Sequence, residues 1–584
     1  MEMDRRAFLK GAAAVGAISV TAGLAACTTG GTGDGGSTSG GSQATQGGAK
    51  TAASLEEKWA FEIPPDPISD ADISETITHD IVIIGSGLSG LTTGASAAGH
   101  GAKDLVLFSA GTKPLARGGS FHGFNSKYQQ SVGIQGYTPE FNKKHIKTEQ
   151  YMTGYAVNKQ LWAKWMNNSE EFINWHIDIM ASKGLKPALE GAFVDADGIF
   201  TNPPAAHNYW KEGIDDAMRQ GAPLVAQALA DTITEAGCEI HYSTKALYLL
   251  RDGSGPVTGV IAQRDDGSYV KYVANKALIL ATGDFSKEPD MMAKYSPWAY
   301  KTFKDLLFAD PANYDVEFEF SGLMPGDGQK MGLWAGAAWQ KVYPNAVMTG
   351  GSVAGPQNAN NYGSFWGINL NINGERYHSE NVPGSLAGRS TANQPKGIVF
   401  SIWDANYVNT NEKWYTSSTT VDEVVGNPNR TREEEVAYWE ENVSGGSWYK
   451  SDTIEGLIGQ LASAGGLNEA NALASVEKYN RWAAQGLDEE FHVSPSVLVP
   501  IEKGPFYGAV SQGQGFLTVL GGLRTNAHMQ VCDEDDNPIP NLYNVGVMTG
   551  DMYGTLYTFT LSGLNLGSTA GCLSYMLGKD LAAL

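Results

Sequence analysis

The chain has 584 residues, of which 42% are hydrophobic and 71 are glycine, and its formal net charge is −22. That length and composition allow a large buried core divided between two or more lobes, and the strong negative charge excludes nucleic acid as an expected partner. The four cysteines form no CxxC or CxxCH pattern, so there is no recognisable haem c, iron–sulfur or structural zinc site and no metal is predicted.

The N-terminus has the features of an export signal. Arg5 and Arg6 form a twin-arginine pair, and small apolar residues follow up to Cys27 in a segment too short and too rich in glycine for a membrane span. The letters LAAC at 24–27 resemble a lipobox, although an apolar segment can also end in a cysteine by chance. Residues 1–27 are therefore predicted to be a twin-arginine signal peptide with a lipobox. Such a signal exports the protein to the periplasm or cell surface, where only a lipid on Cys27 would attach it to the membrane.

A flexible linker is predicted next, over residues 28–77. Residues 28–53 contain no aromatic residue, leucine, isoleucine or valine. Such a segment buries too little apolar surface to offset the entropy lost on ordering, so it is expected to be a flexible tether.

The first folded element is predicted at residues 80–111, which have the pattern strand, glycine-rich turn, helix, strand. Ile81 to Ile84 form the apolar run of a strand buried on both faces. Gly85, Gly87 and Gly90 then give GxGxxG at the start of the helix. In this context the first glycine allows a tight turn, the second admits a pyrophosphate, and the third permits close helix–strand packing. The segment predicts a dinucleotide site.

Further segments in chain order distinguish FAD from NAD. They are ALILATGD (277–284), MPGDG (324–328), NLYNVGVMTG (541–550) and SGLNLG (562–567). Together with the glycine-rich turn, this ordered set resembles the flavoprotein family of soluble fumarate reductase, urocanate reductase and 3-ketosteroid dehydrogenase. The resemblance implies an α/β fold with non-covalently bound FAD. It also implies a discontinuous Rossmann-like FAD-binding domain, residues 78–342 and 513–584, with an inserted α+β capping domain, residues 343–512.

The resemblance also implies which residues bind FAD. The family glutamate that ends the second strand and binds the ribose falls on Phe108, with Ser109 next, and a second family glutamate falls on Val547. Ser109 can hydrogen-bond a ribose hydroxyl in their place. The implied cofactor-binding residues are Gly85, Gly87, Leu88, Ser89, Gly90, Ser109, Gly118, Gly119, Ser120, Ala246, Thr282, Gly283, Asp327, Gly546, Ser562, Gly563, Leu564, Asn565 and Leu566.

The substrate positions of the family are altered in this sequence. Arg376 and Glu380 match its G-x-R-F/Y-x-x-E signature, but its proton-donating arginine falls on Gly384 and its two histidines fall on Leu517 and Thr518. Its carboxylate-binding arginine becomes Tyr557. Because a dicarboxylate needs such charged partners, fumarate is not the expected substrate. Tyr557 is the first candidate to contact a substrate carbonyl, and Tyr553 and Arg389 are the next candidates.

These features together predict an exported FAD-dependent oxidoreductase. We expect it to reduce an activated C=C bond of an α,β-unsaturated substrate by hydride transfer from flavin N5, as in anaerobic respiration. Because the sequence has no haem or iron–sulfur site, an external donor, either a membrane or a cytochrome redox protein, must supply the electrons. Two alternatives remain: a 3-ketosteroid-type dehydrogenase running in the oxidative direction, and a lipoprotein that binds a flavin or another ligand without turnover.

Overall fold

The computed structural model describes residues 58–134, 139–190, 193–194, 201–202, 204–214, 220–350, 355–356, 365–382, 384–411, 414, 430–512, 515–558 and 561–584. These residues belong to one unit, Lys58–Leu584. The predicted signal peptide with Cys27, and the linker up to residue 57, lie outside the described residues.

The folded region begins earlier than the sequence predicts. Short 3-10 helices at Ala60–Glu62 and Asp70–Asp72 precede the first strand, which begins at Ile73. Phe61 is buried against Tyr295, with ring centroids 5.7 Å apart. The predicted linker boundary at residue 77 is therefore wrong, because residues 58–77 already contribute apolar side chains and backbone pairing to the folded unit.

A large, mainly parallel sheet forms the centre of the FAD-binding region. Its strands are β1 Ile73–Ile84, β2 Leu105–Phe108, β8 Glu239–His241, β9 Thr244–Arg251, β10 Val257–Arg264, β11 Tyr269–Leu280, β18 Gln530–Cys532 and β19 Pro538–Asn544. Their order is β18-β19-β11-β1-β2-β8, and along this path all neighbours are parallel except β18 and β19. In addition, β10 pairs antiparallel with residues 269–273 of β11, and β9 pairs antiparallel with β10.

Side chains of the parallel strands alternate between two cores, one on each face of the sheet. Ile81 and Ile83 lie in one core, whereas Val82 and Ile84 lie in the other. The first core is covered by α1 Leu88–Gly99, α5 Gly221–Glu235 and α13 Leu573–Ala582, which follows a π-helical segment, Leu566–Cys572. The second is covered by α6 Pro289–Tyr295, α7 Pro297–Leu307 and α8 Asp327–Trp334. Helices on both faces explain why these strands are continuously apolar.

A smaller region lies between β2 and α5 along the chain. It contains the helices α2 Lys127–Ser131, α3 Pro139–Met152 and α4 Lys159–Ser182. It also contains a three-stranded sheet in the order β3-β7-β4, with bounds β3 Phe121–His122, β4 Lys186–Leu189 and β7 Ala206–Trp210, and a two-stranded pair of β5 Phe193–Val194 with β6 Thr201–Asn202. Within the described ranges, no helix is both long enough and apolar enough to cross a membrane.

The inserted domain has its own antiparallel sheet, in the order β13-β14-β16-β15. Its strands are β13 Ile368–Asn371, β14 Ile398–Asp404, β15 Trp448–Ser451 and β16 Phe506–Gln512. Its helices are α9 Gly384–Ala392, α10 Arg432–Ser444, α11 Ile454–Gly465 and α12 Glu469–Gln485. The chain enters and leaves through an antiparallel pair, β12 Ala346–Gly350 with β17 Gly515–Leu520. The predicted α/β architecture, a mainly parallel sheet between helices with an inserted α+β domain, is confirmed.

Candidate active site

A large cavity lies at the carboxyl ends of the parallel strands, where nucleotides bind in open α/β sheets. Its empty space, including the solvent-filled mouth, is about 1600 Å³. Ile84 ends β1 there, Ser109 follows β2, and Thr282 follows β11, and all three line the cavity. The central sheet therefore places three predicted nucleotide-binding segments around one space.

The glycine-rich turn has the geometry that a pyrophosphate requires. Gly85 has a φ of +118°, and a Cβ there would lie 2.3 Å from the Ala281 backbone oxygen. A Cβ on Gly90 would lie 2.0 Å from the Gly85 backbone oxygen, so Gly90 supports the turn without lining the cavity. Gly87 lines the cavity, and its Cβ would meet nothing within 4 Å. Gly87 also caps α1 without a side-chain hydrogen bond, which leaves the N-terminal amides of this helix for an anion.

Most of the predicted cofactor-binding residues line this one cavity: Gly85, Gly87, Leu88, Ser89, Ser109, Gly118, Gly119, Ser120, Ala246, Thr282, Gly283, Asp327, Gly563, Asn565 and Leu566. Gly90, Gly546, Ser562 and Leu564 do not line it but lie next to residues that do. Gly546, for example, has a φ of +83°, and its Cβ would lie 2.6 Å from the hydroxyl of Ser89.

The assignment of the ribose position to Phe108 is corrected by the structure. Phe108 is fully buried and stacks on Tyr272 in the core beneath the sheet. Ser109, one residue later, lines the cavity together with Val547. Because side chains alternate along a strand, Ser109 and not Phe108 faces the cavity, and Ser109 stays the predicted ribose contact.

Charged and aromatic residues that the sequence analysis did not select lie at the Asp327 wall of the cavity. Lys245 lines it and lies over the Tyr314 ring, with the ammonium 5.4 Å from the ring centroid. The Tyr314 hydroxyl donates to Asp327 at 2.6 Å, and Lys245 and Lys330 form ion pairs with the same carboxylate at 3.8 and 3.5 Å. These contacts hold the Asp327 carboxylate in one position, which a side chain that binds a cofactor requires.

The C-terminal turn forms another part of the cavity wall beside Ser120. Gly563 has a φ of +69°, and a Cβ there would lie 2.5 Å from the Ser120 backbone oxygen. A helical segment begins at Leu564, and Asn565 and Leu566 line the cavity at its start. His122 Nδ1 is 2.7 Å from the Ser562 backbone oxygen and the ring is buried, so this histidine ties the turn to β3.

The three catalytic candidates are not brought together. Tyr557 lines the cavity, and its hydroxyl accepts the Asn565 backbone amide at 3.2 Å. Tyr553 is buried behind it, and its hydroxyl donates to the Asn565 side chain at 2.8 Å. Arg389 lies in α9 with its guanidinium 4.7 Å from the Trp298 ring centroid, away from the lining residues described. The structure therefore places only Tyr557 on the cavity surface.

An arginine that the sequence analysis missed lines the same cavity. Arg117 precedes the Gly118–Gly119 pair, and its Nε donates to the Val316 backbone oxygen at 3.1 Å. Burial lowers its pKa to about 10, and the nearby carboxylates of Asp284 and Glu319 oppose this shift. Its position next to the glycine pair was visible in the sequence, but the direction of its side chain was not.

Asp284, which follows β11, is hydrogen-bonded to Thr518, the residue that stands where the family pattern has a histidine. It is buried, and its carboxylate accepts hydrogen bonds from the Met324 amide at 3.1 Å and the Thr518 hydroxyl at 2.9 Å. Burial raises its pKa, which the nearby Arg117 partly offsets. Thr518 lines the cavity where the family pattern has histidine, so a neutral hydroxyl occupies that position.

Two further buried carboxyl groups were not predicted. Burial raises the pKa of Glu190 to about 7, against hydrogen bonds from Ser120, Asn208 and Ser562. Burial also raises the pKa of Glu149 to about 7, against a hydrogen bond from Thr558. No motif surrounds either glutamate in the sequence, so only the folded structure reveals them.

These residues fit a flavin dinucleotide. The open position at Gly87, the uncapped amides of α1 and the volume of the cavity suit a pyrophosphate with a group on each side. Ser109, Ala246 and Asp327 would surround the adenosine part, and Ser120, Gly563 and Asn565 the isoalloxazine part.

Comparison with known proteins agrees with this site. Residues 148–560 match the family described as FAD binding domain, so the glycine-rich turn precedes the matched region. The chain is 26% identical over 517 residues to vinyl phenol reductase of Lactiplantibacillus plantarum, an alignment that covers 82% of this chain and 92% of that protein.

Solved structures show the same fold. The 3-ketosteroid Δ4-(5α)-dehydrogenase of Rhodococcus jostii, in complex with 4-androstene-3,17-dione, superposes with a TM-score of 0.64 at 21% identity, covering 88% of this chain and 99% of that chain. The open conformation of a flavocytochrome c3 fumarate reductase superposes with a TM-score of 0.59 at 19% identity, covering 90% and 82%.

Proposed function

The chain belongs to the FAD binding domain family and is an FAD-dependent oxidoreductase that acts on carbon–carbon double bonds, and on this basis we propose that it reduces the activated C=C bond of an uncharged α,β-unsaturated carbonyl compound. Reduced FAD, when bound, supplies the hydride from N5. The protein positions the substrate and supplies the proton.

The character of the cavity wall carries this proposal. Met348, Leu517 and Tyr557 line it, and Thr518 replaces a family histidine. A dicarboxylate buried against this wall would lack the charged partners that its second carboxylate needs, at a cost of several kcal/mol. A conjugated ketone or ester needs one hydrogen-bond donor and apolar contact, which this wall provides.

Arg117 does not reverse this argument. Its guanidinium already lies near the carboxylates of Asp284 and Glu319, which favour its charged form. A charge compensated by the protein itself attracts a substrate carboxylate less than an isolated arginine would. Two carboxylates beside the arginine therefore favour a neutral substrate.

Tyr557 is the proposed electrophile of the reaction. A phenol on the cavity wall can stabilise the negative charge that develops on a carbonyl oxygen during hydride delivery to the β-carbon. The Asn565 amide donates to the Tyr557 hydroxyl and so fixes the oxygen in place. Arg389 and Tyr553 do not lie on the cavity wall, because Arg389 lies over Trp298 and Tyr553 is buried behind Asn565.

The proposal includes export and an external electron donor. The twin-arginine pair, the lipobox and the tether in the sequence support a location outside the cytoplasm, with attachment through Cys27. Three of the four cysteines, Cys238, Cys532 and Cys572, are isolated, buried thiols that belong to no haem or iron–sulfur motif. A separate membrane or cytochrome redox protein would therefore deliver the electrons to the flavin.

One observation favours a second candidate, the oxidation of a 3-ketosteroid. The fold is shared with a ketosteroid dehydrogenase, and a cavity-lining tyrosine suits a ketone in either direction of the reaction. The direction depends on the flavin potential and on the available donor or acceptor. A direct assay of both directions separates the two candidates.

The test is an anaerobic screen of the FAD-loaded protein with reduced viologen as donor. Enones, cinnamate esters and unsaturated ketosteroids are offered, with vinyl phenols as the comparison that lacks a carbonyl and fumarate as the charged comparison. We expect at least one neutral conjugated substrate to reoxidise the dye, and fumarate to react at least about a hundredfold more slowly. Fumarate as the best substrate, or faster oxidation of saturated ketosteroids with an artificial acceptor, would overturn the proposal.

A further inference from the structure

Ser120 lies between two hydrogen-bond acceptors at the cavity wall. Its hydroxyl oxygen contacts Oε1 of Glu190 and lies 3.3 Å from Oδ1 of Asn208. The Asn208 amide nitrogen donates to the same Glu190 oxygen at 3.1 Å, which fixes the orientation of the amide. The three side chains therefore form a closed ring.

One proton is missing from this ring if Glu190 is ionised. A serine hydroxyl has a single proton, and an ionised carboxylate and an amide oxygen are acceptors only. With Glu190 protonated, its O–H donates to Ser120, and the Ser120 O–H donates to Asn208. The neutral acid thus gives each contact within the ring one donor and one acceptor, as a buried polar cluster requires.

Among the described residues, no lysine or arginine contributes to the pKa of Glu190. Tyr557 faces it from the C-terminal turn, and Glu149 of α3 is close to the same tyrosine. His207 of β7 is held neutral, since burial lowers its pKa to about 4, and His122 of β3 is buried against Ser562. Glu190 is 1% exposed. Its raised pKa, about 7, results from this burial.

Ser120 connects this acid to the cavity. It lines the cavity directly after the Gly118–Gly119 pair and lies against Gly563, whereas Glu190 lies behind it. Of the residues that line the cavity, Ser120 is the one whose described hydrogen bond reaches Glu190, so its hydroxyl links this acid to the cavity.

We infer that Glu190 holds the proton that completes C=C reduction and delivers it to the substrate α-carbon through Ser120. This inference rests on the proposed function. The hydride and its electron pair come from reduced FAD and form the new β-carbon–hydrogen bond. Ser120 gives its proton to the α-carbon while Glu190 Oε1 gives its proton to Ser120 Oγ, and Glu190 is left as a carboxylate that water reprotonates before the next turnover. Tyr557 contacts the carbonyl oxygen and is not consumed.

The first experiment measures the protonation of Glu190 without turnover. Infrared spectra of the FAD-loaded oxidised protein are compared with those of Glu190→Gln between pH 5 and 9. We expect the carbonyl band of a protonated carboxylic acid in the wild type, absent in Glu190→Gln, which disappears as the pH rises through about 7. If removing Glu190 leaves the acid bands at pH 5 unchanged, Glu190 is ionised and the inference is wrong.

The second experiment uses Glu149→Gln as a matched control. Glu149 is also buried with a pKa raised to about 7, but it bonds Thr558 and not a cavity-lining residue. We expect kcat of the wild type to fall as the pH rises through about 7, and Glu149→Gln to keep this profile. Glu190→Gln and Ser120→Ala should lose roughly 10²-fold in kcat at pH 6 and show no such fall, with FAD content and thermal midpoint measured in each variant.

The outcomes separate the relay from the proposed function. If the wild type reduces no unsaturated substrate, the proposed function fails and the relay fails with it. If the wild type turns over and Glu190→Gln, folded and FAD-loaded, keeps the wild-type rate and pH profile, only the relay is wrong. If the fall of kcat with rising pH is lost in Glu149→Gln but kept in Glu190→Gln, the titrating group is Glu149 and the relay is wrong.

Discussion

The ring of Phe108 stacks on the ring of Tyr272, with centroids 4.3 Å apart and planes 10° apart. Both rings are fully buried beneath the central sheet. A carboxylate at position 108 would lie in this core with no partner, so we expect Phe108→Glu to destabilise the protein by at least about 4 kcal/mol. The free energy of unfolding, from urea titration of the apo-protein, checks this.

Ser109→Glu is the matched variant at the neighbouring position, which faces the cavity. We expect it to keep the wild-type stability and to bind FAD roughly tenfold more tightly, because a carboxylate gains charge-assisted hydrogen bonds to ribose hydroxyls. Fluorescence titration of the apo-protein with FAD measures the change. Tighter binding by Phe108→Glu instead would mean that the strand register is different.

The contrast between these neighbours shows what the sequence could predict. The glycine-rich turn and the strand ends were predictable because glycine spacing and apolar runs are local properties, whereas the insertion was implied by the family resemblance. The side of the strand on which Phe108 falls depends on its register in the sheet, which an aligned motif determines only to within a residue. The Glu190–Ser120 contact joins residues 70 positions apart, and only the folded chain brings them together.

The second prediction separates two roles of glycine in one turn. A side chain at Gly87 would extend into the open cavity, so Gly87→Val should leave the fold intact but weaken FAD binding by more than about a hundredfold. A side chain at Gly90 would collide with the Gly85 backbone, so Gly90→Val should cost about 3 kcal/mol or more of stability. Flavin content and thermal melting of both variants are compared. A stable, yellow Gly87→Val protein would contradict the placement of the pyrophosphate.

The third prediction concerns export, which the twin-arginine pair of the sequence suggests. Twin-arginine signals carry folded proteins, so the variant with lysine at Arg5 and Arg6 should remain in the cytoplasm as a soluble yellow protein. Cell fractionation and the flavin spectrum of each fraction measure this. Unchanged export of the variant would exclude the pathway, and a colourless soluble protein would contradict FAD binding.

The fourth prediction is a pH dependence of stability. The pKa values of Glu149 and Glu190 are near 7 in the folded protein, against 4.5 as the reference. Between these pH values the folded state holds more protons than the unfolded state. The contribution of each carboxyl to the free energy of unfolding should therefore fall as the pH rises from 4.5 through 7, by on the order of 3 kcal/mol.

Buried histidines act in the opposite direction, so the variants must be compared with the wild type. Burial lowers the pKa of His176 to about 3 and that of His207 to about 4, and their contribution to stability is lost as the pH falls below about 6.5. The double variant with glutamine at Glu149 and Glu190 keeps these histidines. With only the histidine effect left, its urea midpoint should rise more between pH 5 and 8 than that of the wild type, in which the two carboxyls offset the rise, and equal changes in both proteins would show that neither carboxyl is protonated on folding.

The last prediction concerns the hydroxyl of Tyr557. Because it would stabilise charge that develops only during hydride transfer, Tyr557→Phe should lower kcat by roughly 10² to 10³ and change KM little. Tyr553→Phe is the matched control, since its hydroxyl bonds Asn565 behind the cavity wall and its loss should affect thermal stability more than kcat. Both variants are assayed on the best substrate from the screen, with FAD content measured first. If Tyr557→Phe keeps its flavin and the wild-type rate, the carbonyl is polarised by another donor. Arg117 would then be the next to test, because it lines the same cavity and a guanidinium has several N–H donors besides the Nε that bonds Val316.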